Sequence, residues 1–531
     1  MTHHQQRFFS WFLSACLWLS PAAGLVPAAS AQEARDAAPL RQALNRIDPE
    51  RLMADVRRLS SEEFQGRQTG TPEDLSSAWW VAERWRTLGL LPLVPAPLRA
   101  GTPPEGTPVQ DQALDQSFAS LVQPWMMGTK APVFSLPAPP TLQVIAGNLV
   151  TTAVAGPDYL PMLDSPSVDL QAPVSFVGYG ISDPAQGYEE YQGLDVKGHV
   201  VVFLRGKPTW YERAVSHADK IRTAQSKGAV GSLTVTGPVM SPYEARRGVG
   251  TNPLAYYGSQ DLTKEQTLPG AWASPALVES ILHGTGREQP FSLQNVQEQI
   301  QQKRLPQSRQ ADAQLRLRWE STTGTGTLCN VVGIIEGKAP SLRHEAIVIG
   351  AHRDHFGRQG GLLFPGADDN ASGTAVILEV ARLFMESGAK PARSLVFVSF
   401  SGEEQGLWGS KLYVERPPRP LAQTKVMINI DHAGIGNGRL TVGVTGLDKS
   451  VAARAGEQAE LADKLDLFGF FPGGDHVPFK EAGVPTVTVV SGGPHPHFHQ
   501  PGDRIETINP EVLLSATRYV LALAWSLANQ P

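Results

Sequence analysis

Apolar positions recur at helical spacing in one early stretch of the chain. Leu75, Ala78, Trp79, Ala82 and Trp85 fall on one face, and Gly89 stands where such a helix would stop. Residues 40–93 therefore read as helical, with that stripe as core. From 95 to 140, proline and glycine are frequent and no period is sustained, which predicts loop and linker. The pattern then shortens. Residues 174–180 and 199–204 are apolar runs bounded by turn residues and read as strands. A short helical pattern covers 219–228, and 230–235 reads as a further strand.

From Leu328 onward, strand patterns alternate with helical ones. The expected strands are 330–335, 346–351, 395–400, 426–430, 440–444 and 486–490; the expected helices are 372–386, 406–414 and 447–464. Such alternation predicts an α/β fold, a mixed sheet flanked by helices on both faces. At 531 residues the chain exceeds a single compact core, so more than one domain is expected.

Composition narrows the function classes. Hydrophobic residues are 41% and charged residues 18%, as in an ordinary globular protein, and the net charge of −5 offers no basis for nucleic-acid binding or a polybasic membrane patch. The first residues differ from the rest. Arg7 precedes an apolar run at 8–19, and Ala29-Ser30-Ala31 supplies small residues for cleavage, so 1–31 reads as an export signal with Gln32 as the first mature residue. The run falls short of the roughly twenty residues of a membrane span, so no stable membrane anchor is expected. Leu13-Ser14-Ala15-Cys16 has the shape of a lipoprotein site, but the apolar stretch continues past Cys16. The expected destination is the periplasm or the medium. Cleavage would leave Cys329 as the sole cysteine, excluding an internal disulfide; at a strand start it reads as a small buried apolar residue.

In open α/β sheets, ligands bind beyond the carboxyl ends of the strands. The expected strand ends here are rich in acids and imidazoles. One runs into His352-Arg353-Asp354-His355, another into Glu403-Glu404, a third into Asp431-His432, and a fourth into a loop with His495, His497 and His499. Gly366-Ala367-Asp368-Asp369-Asn370 opens a helix between the first two. Singly each signal is weak, since an Asp-Asp before a helix is usually a cap. Jointly, two or more imidazoles with three or more carboxylates and no thiolate suit zinc or a similar divalent ion.

The runs from Gly350 to His355, Gly366 to Gly373, Glu403 to Ser410 and Asn429 to Asp431, with Asp475-His476-Val477-Pro478-Phe479 and His499-Gln500-Pro501-Gly502-Asp503, resemble metallopeptidase family 28. Leu59-Ser60 and Gly66-Arg67 are similar to that family's opening helices. Phe176-Val177-Gly178-Tyr179-Gly180-Ile181 and Lys227-Gly228-Ala229 resemble an inserted protease-associated domain. The resemblance implies a peptidase domain split into 32–139 and 317–531 around an insert at 140–316. It further implies two zinc ions, with His352 and Asp431 on one, Glu404 and His499 on the other, and Asp369 bridging. Glu403 is the implied general base and Asp354 the carboxylate orienting His352. The implied activity is that of an aminopeptidase acting on peptide or protein N-termini. A carboxypeptidase, a glutaminyl cyclase or a non-catalytic binding protein on the same scaffold are the alternatives. G-x-S-x-G and H-E-x-x-H are both absent.

Several neighbours read more blandly. His355 is expected to be structural and His432 to pack against the sheet or to stand behind Asp431, while Asp475 and His476 are expected behind the ligands, against substrate, or as structure alone. His495 and His497 compete with His499, and the Asn370-Ala371-Ser372 sequon is expected to be accidental.

Overall fold

The computed structural model describes residues 38–94, 123–240, 250–259, 261–262, 268–283, 291–388 and 390–530. The leader segment, with Cys16 and Ala29-Ser30-Ala31, and residues 95–122 of the expected loop lie outside the described residues.

The opening helices follow from local chemistry. Asp48 caps Pro49–Leu59 by accepting the N–H groups of Glu50 and Arg51, and Thr71 caps Pro72–Leu88 by accepting from Asp74. Gly89, at φ 86°, ends the second helix. Ala78, Ala82 and Trp85 of the expected stripe are buried, while Leu75 and Trp79 pack at its edge.

Among the described residues, a nine-stranded mixed sheet organises the larger unit. Four strands at its centre run parallel, in the order Ser394–Phe400, Ala346–His352, Thr424–Ile430 and Thr486–Ser491. Thr322–Ile335 and Leu440–Thr445 flank them antiparallel. The central strands are apolar on both faces, as strands covered on two sides must be. Gly373–Glu386, Pro72–Leu88 and Pro510–Asn529 bury their apolar residues in the main core on one side; Trp408–Glu415 and His476–Glu481 pack on the other.

A second, eight-stranded sheet is built from residues between Thr141 and Trp319, with its own apolar core around Phe176, Val202, Leu233 and Leu317. The helices His217–Ser226, Pro275–Leu282 and Leu293–Gln301 accompany it.

Two expectations need correction. Met126–Ser135, inside the expected loop, is a strand pairing with residues 322–330. Its Gly128 and Pro132 break the local pattern, and it is the long-range ladder that orders it. The helix Pro510–Asn529 was not expected either. It is buried on nearly every side, Leu513, Ala516, Tyr519, Val520 and Leu523 included, so no polar face marks its period. It is long and apolar enough to cross a membrane, but here it lies in the core. Within 447–464 the α-helix stops at Gln458, and Ala462–Lys464 is a separate 3-10 turn. Cys329 is fully buried, and burial pushes its thiol up to about 12.

Candidate metal centre

The parallel strands deliver their carboxyl ends to one rim, and the acidic and imidazole residues that follow them converge there. His352 ends its strand, with Nε2 3.3 Å from Asp369 Oδ1 and 3.3 Å from Asp431 Oδ1. On the far side of Asp369, His499 Nε2 lies 3.2 Å from Asp369 Oδ2 and 3.4 Å from Glu404 Oε2. The two oxygens of Asp369 therefore face two separate imidazole–carboxylate pairs. Ligand atoms about 2.0–2.2 Å from a tetrahedral ion stand about 3.4 Å apart. All four separations fit that spacing, and the donor set suits two divalent ions of zinc's type.

The charge balance argues the same way. Asp369, Glu403, Glu404 and Asp431 crowd together, while the nearby guanidinium groups point elsewhere. Arg67 donates to the carbonyls of Leu59, Arg353, Pro365 and Gly366, and Arg353 is paired with Asp74 at 2.8 Å. Burial, with the charges of Asp369 and Glu403 beside it, pushes the Glu404 carboxyl well above the usual range. Burial raises Glu403 likewise, against the opposing charge of His352. Such a pocket is costly without a cation.

The supporting residues explain how the loops hold their shape. The Asp354 carboxylate, fully buried, accepts from Thr69 Oγ1 at 2.9 Å and from the N–H groups of Glu403 and Glu404 at 3.3 and 3.4 Å. His352 Nδ1 finds the Asp354 carbonyl at 3.2 Å, nearer than the Asp354 carboxylate at 3.7 Å. Asp354 thus orients the imidazole mainly through its main chain and the acid pair through its side chain. Asp503 receives the N–H groups of Asp368 and Asp369 at 2.8 and 3.0 Å, fixing the loop that carries Asp369. Asn370 is fully buried, donating to the Ile430 carbonyl and accepting from the Gly373 N–H, which leaves no room for a glycan on the sequon.

Of the three competing histidines, His499 alone meets Asp369 and Glu404. His495 Nδ1 instead bonds Asp368 at 2.6 Å, forming a group with Asp368 and His432. His355 does more than pack, and His432 stands behind Asp431, the second of its two expected places. His355 Nδ1 is hydrogen-bonded to Glu404 Oε1 at 2.7 Å, while the other oxygen of Glu404 faces His499. His432 Nδ1 bonds Asp368 at 3.2 Å, and its Nε2 faces Asp369 and Asp431 at 3.6 and 3.8 Å. The available signal was an imidazole within three residues of a strand end and directly after an aspartate. Asp475 is buried behind the ligand set, and burial raises it to about 7; His476 bonds the Phe471 carbonyl at 2.6 Å.

A cavity of about 570 Å³ opens over the cluster. Asp369, Glu403, Asp431, His432 and His499 line it, together with Arg205, His217, Tyr256 and Trp272 of the second sheet's unit.

Residues 330–524 match the model of peptidase family M28. The chain is 33% identical over 208 residues to aminopeptidase YwaD of Bacillus subtilis (strain 168), covering 37% of this chain and 44% of that protein. It is 28% identical over 213 residues to a probable leucine aminopeptidase of Arthroderma otae, covering 38% and 57%. The chain thus spans about half the length of the curated relatives it matches. An aminopeptidase from Aneurinibacillus sp. strain AM-1 has a similar structure at a TM-score of 0.61 and 20% identity, covering 93% of this chain and 97% of that one, a likeness of fold.

Proposed function

From a chain that belongs, through residues 330–524, to peptidase family M28, we propose an exported, zinc-dependent aminopeptidase that removes residues from peptide N-termini. The observation that carries this reading is Asp369, set between the His352–Asp431 pair and the His499–Glu404 pair. His352, Asp431, Asp369, Glu404 and His499 would hold two zinc ions. When bound, these would polarise the scissile carbonyl and acidify the attacking water.

The chain's own residues do the rest. Glu403, which lines the cavity beside His352 and Glu404, accepts the proton of the attacking water and returns it to the departing amine. The Asp354 carboxylate fixes the main chain of Glu403, so its proton-carrying group stays aimed at the cleft. Tyr256 and Trp272 line the same cavity as the acid and imidazole cluster, so a substrate at the cluster would meet aromatic surface from residues 140–316. The names of the relatives support N-terminal exopeptidase action. Export rests on Arg7, the apolar run at 8–19 and Ala29-Ser30-Ala31. The residues between 140 and 316 are read as a protease-associated insert.

A panel of aminoacyl fluorogenic substrates, run with and without a chelator, tests this. Release from free N-termini that vanishes on chelation and returns with zinc is expected. Activity only on N-terminally blocked or C-terminal substrates would replace the aminopeptidase reading.

A further inference from the structure

The unit built on the second sheet reaches into the metal centre through residues 254–259. Ala255 and His499 form a reciprocal pair: the Ala255 N–H donates to the His499 carbonyl at 3.0 Å, and His499 Nδ1 stands 3.0 Å from the Ala255 carbonyl. A carbonyl can only accept, so Nδ1 carries the hydrogen and Nε2 presents its lone pair to Asp369 and Glu404. A ligating imidazole depends on such a partner for tautomer and ring orientation. Here the partner comes from the insert. The His499 backbone, at φ 55°, also lies in the left-handed region, a conformation a non-glycine residue keeps only when held.

Residues 254–259 are themselves held by several groups, His217 Nδ1 at 3.1 Å from the Gly258 carbonyl and Gln405 Nε2 at 3.4 Å from the Tyr257 hydroxyl among them, but Asp164 grips two main-chain amides at once. Asp164 is buried, and its two carboxylate oxygens accept the N–H groups of Gly258 at 2.6 Å and Ser259 at 2.8 Å. The adjacent Leu163 N–H donates to the Tyr256 carbonyl at 2.9 Å. We propose that Asp164 is a positioning residue for the metal centre: it clamps residues 254–259 so that the Ala255 carbonyl holds His499 in its ligating form. The ion shared by His499 and Glu404 then depends on the insert, whereas the ion shared by His352 and Asp431 does not. This rests on the two-ion reading above.

The test is zinc binding to metal-free, full-length protein, measured by chelator competition and metal analysis. Wild type is expected to take two ions. Asp164→Ala is expected to keep one at wild-type affinity and to bind the other about 10–100-fold more weakly, the usual effect of removing support behind a ligand. Asp183→Ala serves as control, because Asp183 accepts from Tyr211 and Arg213 of the same unit and touches neither residues 254–259 nor the cluster. It should leave both ions unchanged. If Asp164→Ala does not fold, Asp164→Asn, which keeps one acceptor and the volume, is read the same way. Two ions at unchanged affinity in a folded Asp164 variant overturn the proposal, as does equal weakening of both ions or an equal loss in Asp183→Ala. A wild type that binds fewer than two ions overturns the two-ion reading itself.

Discussion

Glu403 and Asp369 share one cluster, yet their removal should register differently. Glu403→Gln keeps the volume and leaves both imidazole–carboxylate pairs intact. It should retain zinc while kcat falls by roughly two to four orders of magnitude, the range for a lost general base. Asp369→Ala removes the group between the pairs and should lose metal; two ions in that variant would take Asp369 out of the bridging role. A second expectation concerns protons. Burial and neighbouring charge raise Glu404 above the ordinary carboxylate range, so the metal-free protein keeps a proton there where a free carboxyl would have lost it. Zinc requires the ionised form. Zinc uptake should therefore release protons, and apparent affinity should keep improving as pH rises above the ordinary carboxylate range. Titration with zinc in a weakly buffered solution measures this; no proton release would contradict it. The residue types were legible in the chain at this level, but their partners were not. His355 read as a structural group, and His432 as one packing or standing behind Asp431, because nothing local shows that Glu404, or Asp368 and Asp369, will stand beside them.

The elements around the site are fastened by a short turn after the 3-10 helix Glu62–Phe64. Gly66, at φ 75°, lies so close to the loop before Asp368 that an added Cβ would sit 2.2 Å from the Phe364 carbonyl oxygen. Next to it, Arg67 spends its guanidinium on four main-chain carbonyls, two of them at Pro365 and Gly366. Gly66→Ala should consequently cost more than about 1 kcal/mol, since neither the backbone conformation nor the space suits a side chain. Urea unfolding reads the effect as a lowered midpoint, and an unchanged midpoint would refute the close approach. Elements with a clean local period, such as the strands of the parallel centre and the helix Gly373–Glu386, were readable from apolar spacing. Met126–Ser135 and Pro510–Asn529 were not. The first owes its form to a distant partner strand, and the second has no polar face to display a period.

For the assembled protein, the balance of buried charge matters most. Ligand binding to the folded chain alone stabilises it by about 4 kcal/mol at a thousand times the dissociation constant. Chelation should lower the Tm accordingly, and added zinc should restore it; a Tm indifferent to chelator would argue that the carboxylates are neutralised some other way. The chain announces its acids and imidazoles at successive strand ends, and with them the α/β class and the rim where a ligand belongs. Local residue chemistry and periodicity suffice for that, because strand ends and caps are decided by near neighbours. Which histidine meets Asp369, that His355 bonds Glu404, and that Asp164 reaches His499 through Ala255 were settled by folding. Those contacts join residues as far as 244 positions apart in the numbering, as Ala255 and His499 are. Hydrogen bonds and donor spacings between such residues depend on where two units meet in space, and no spacing along the chain encodes that.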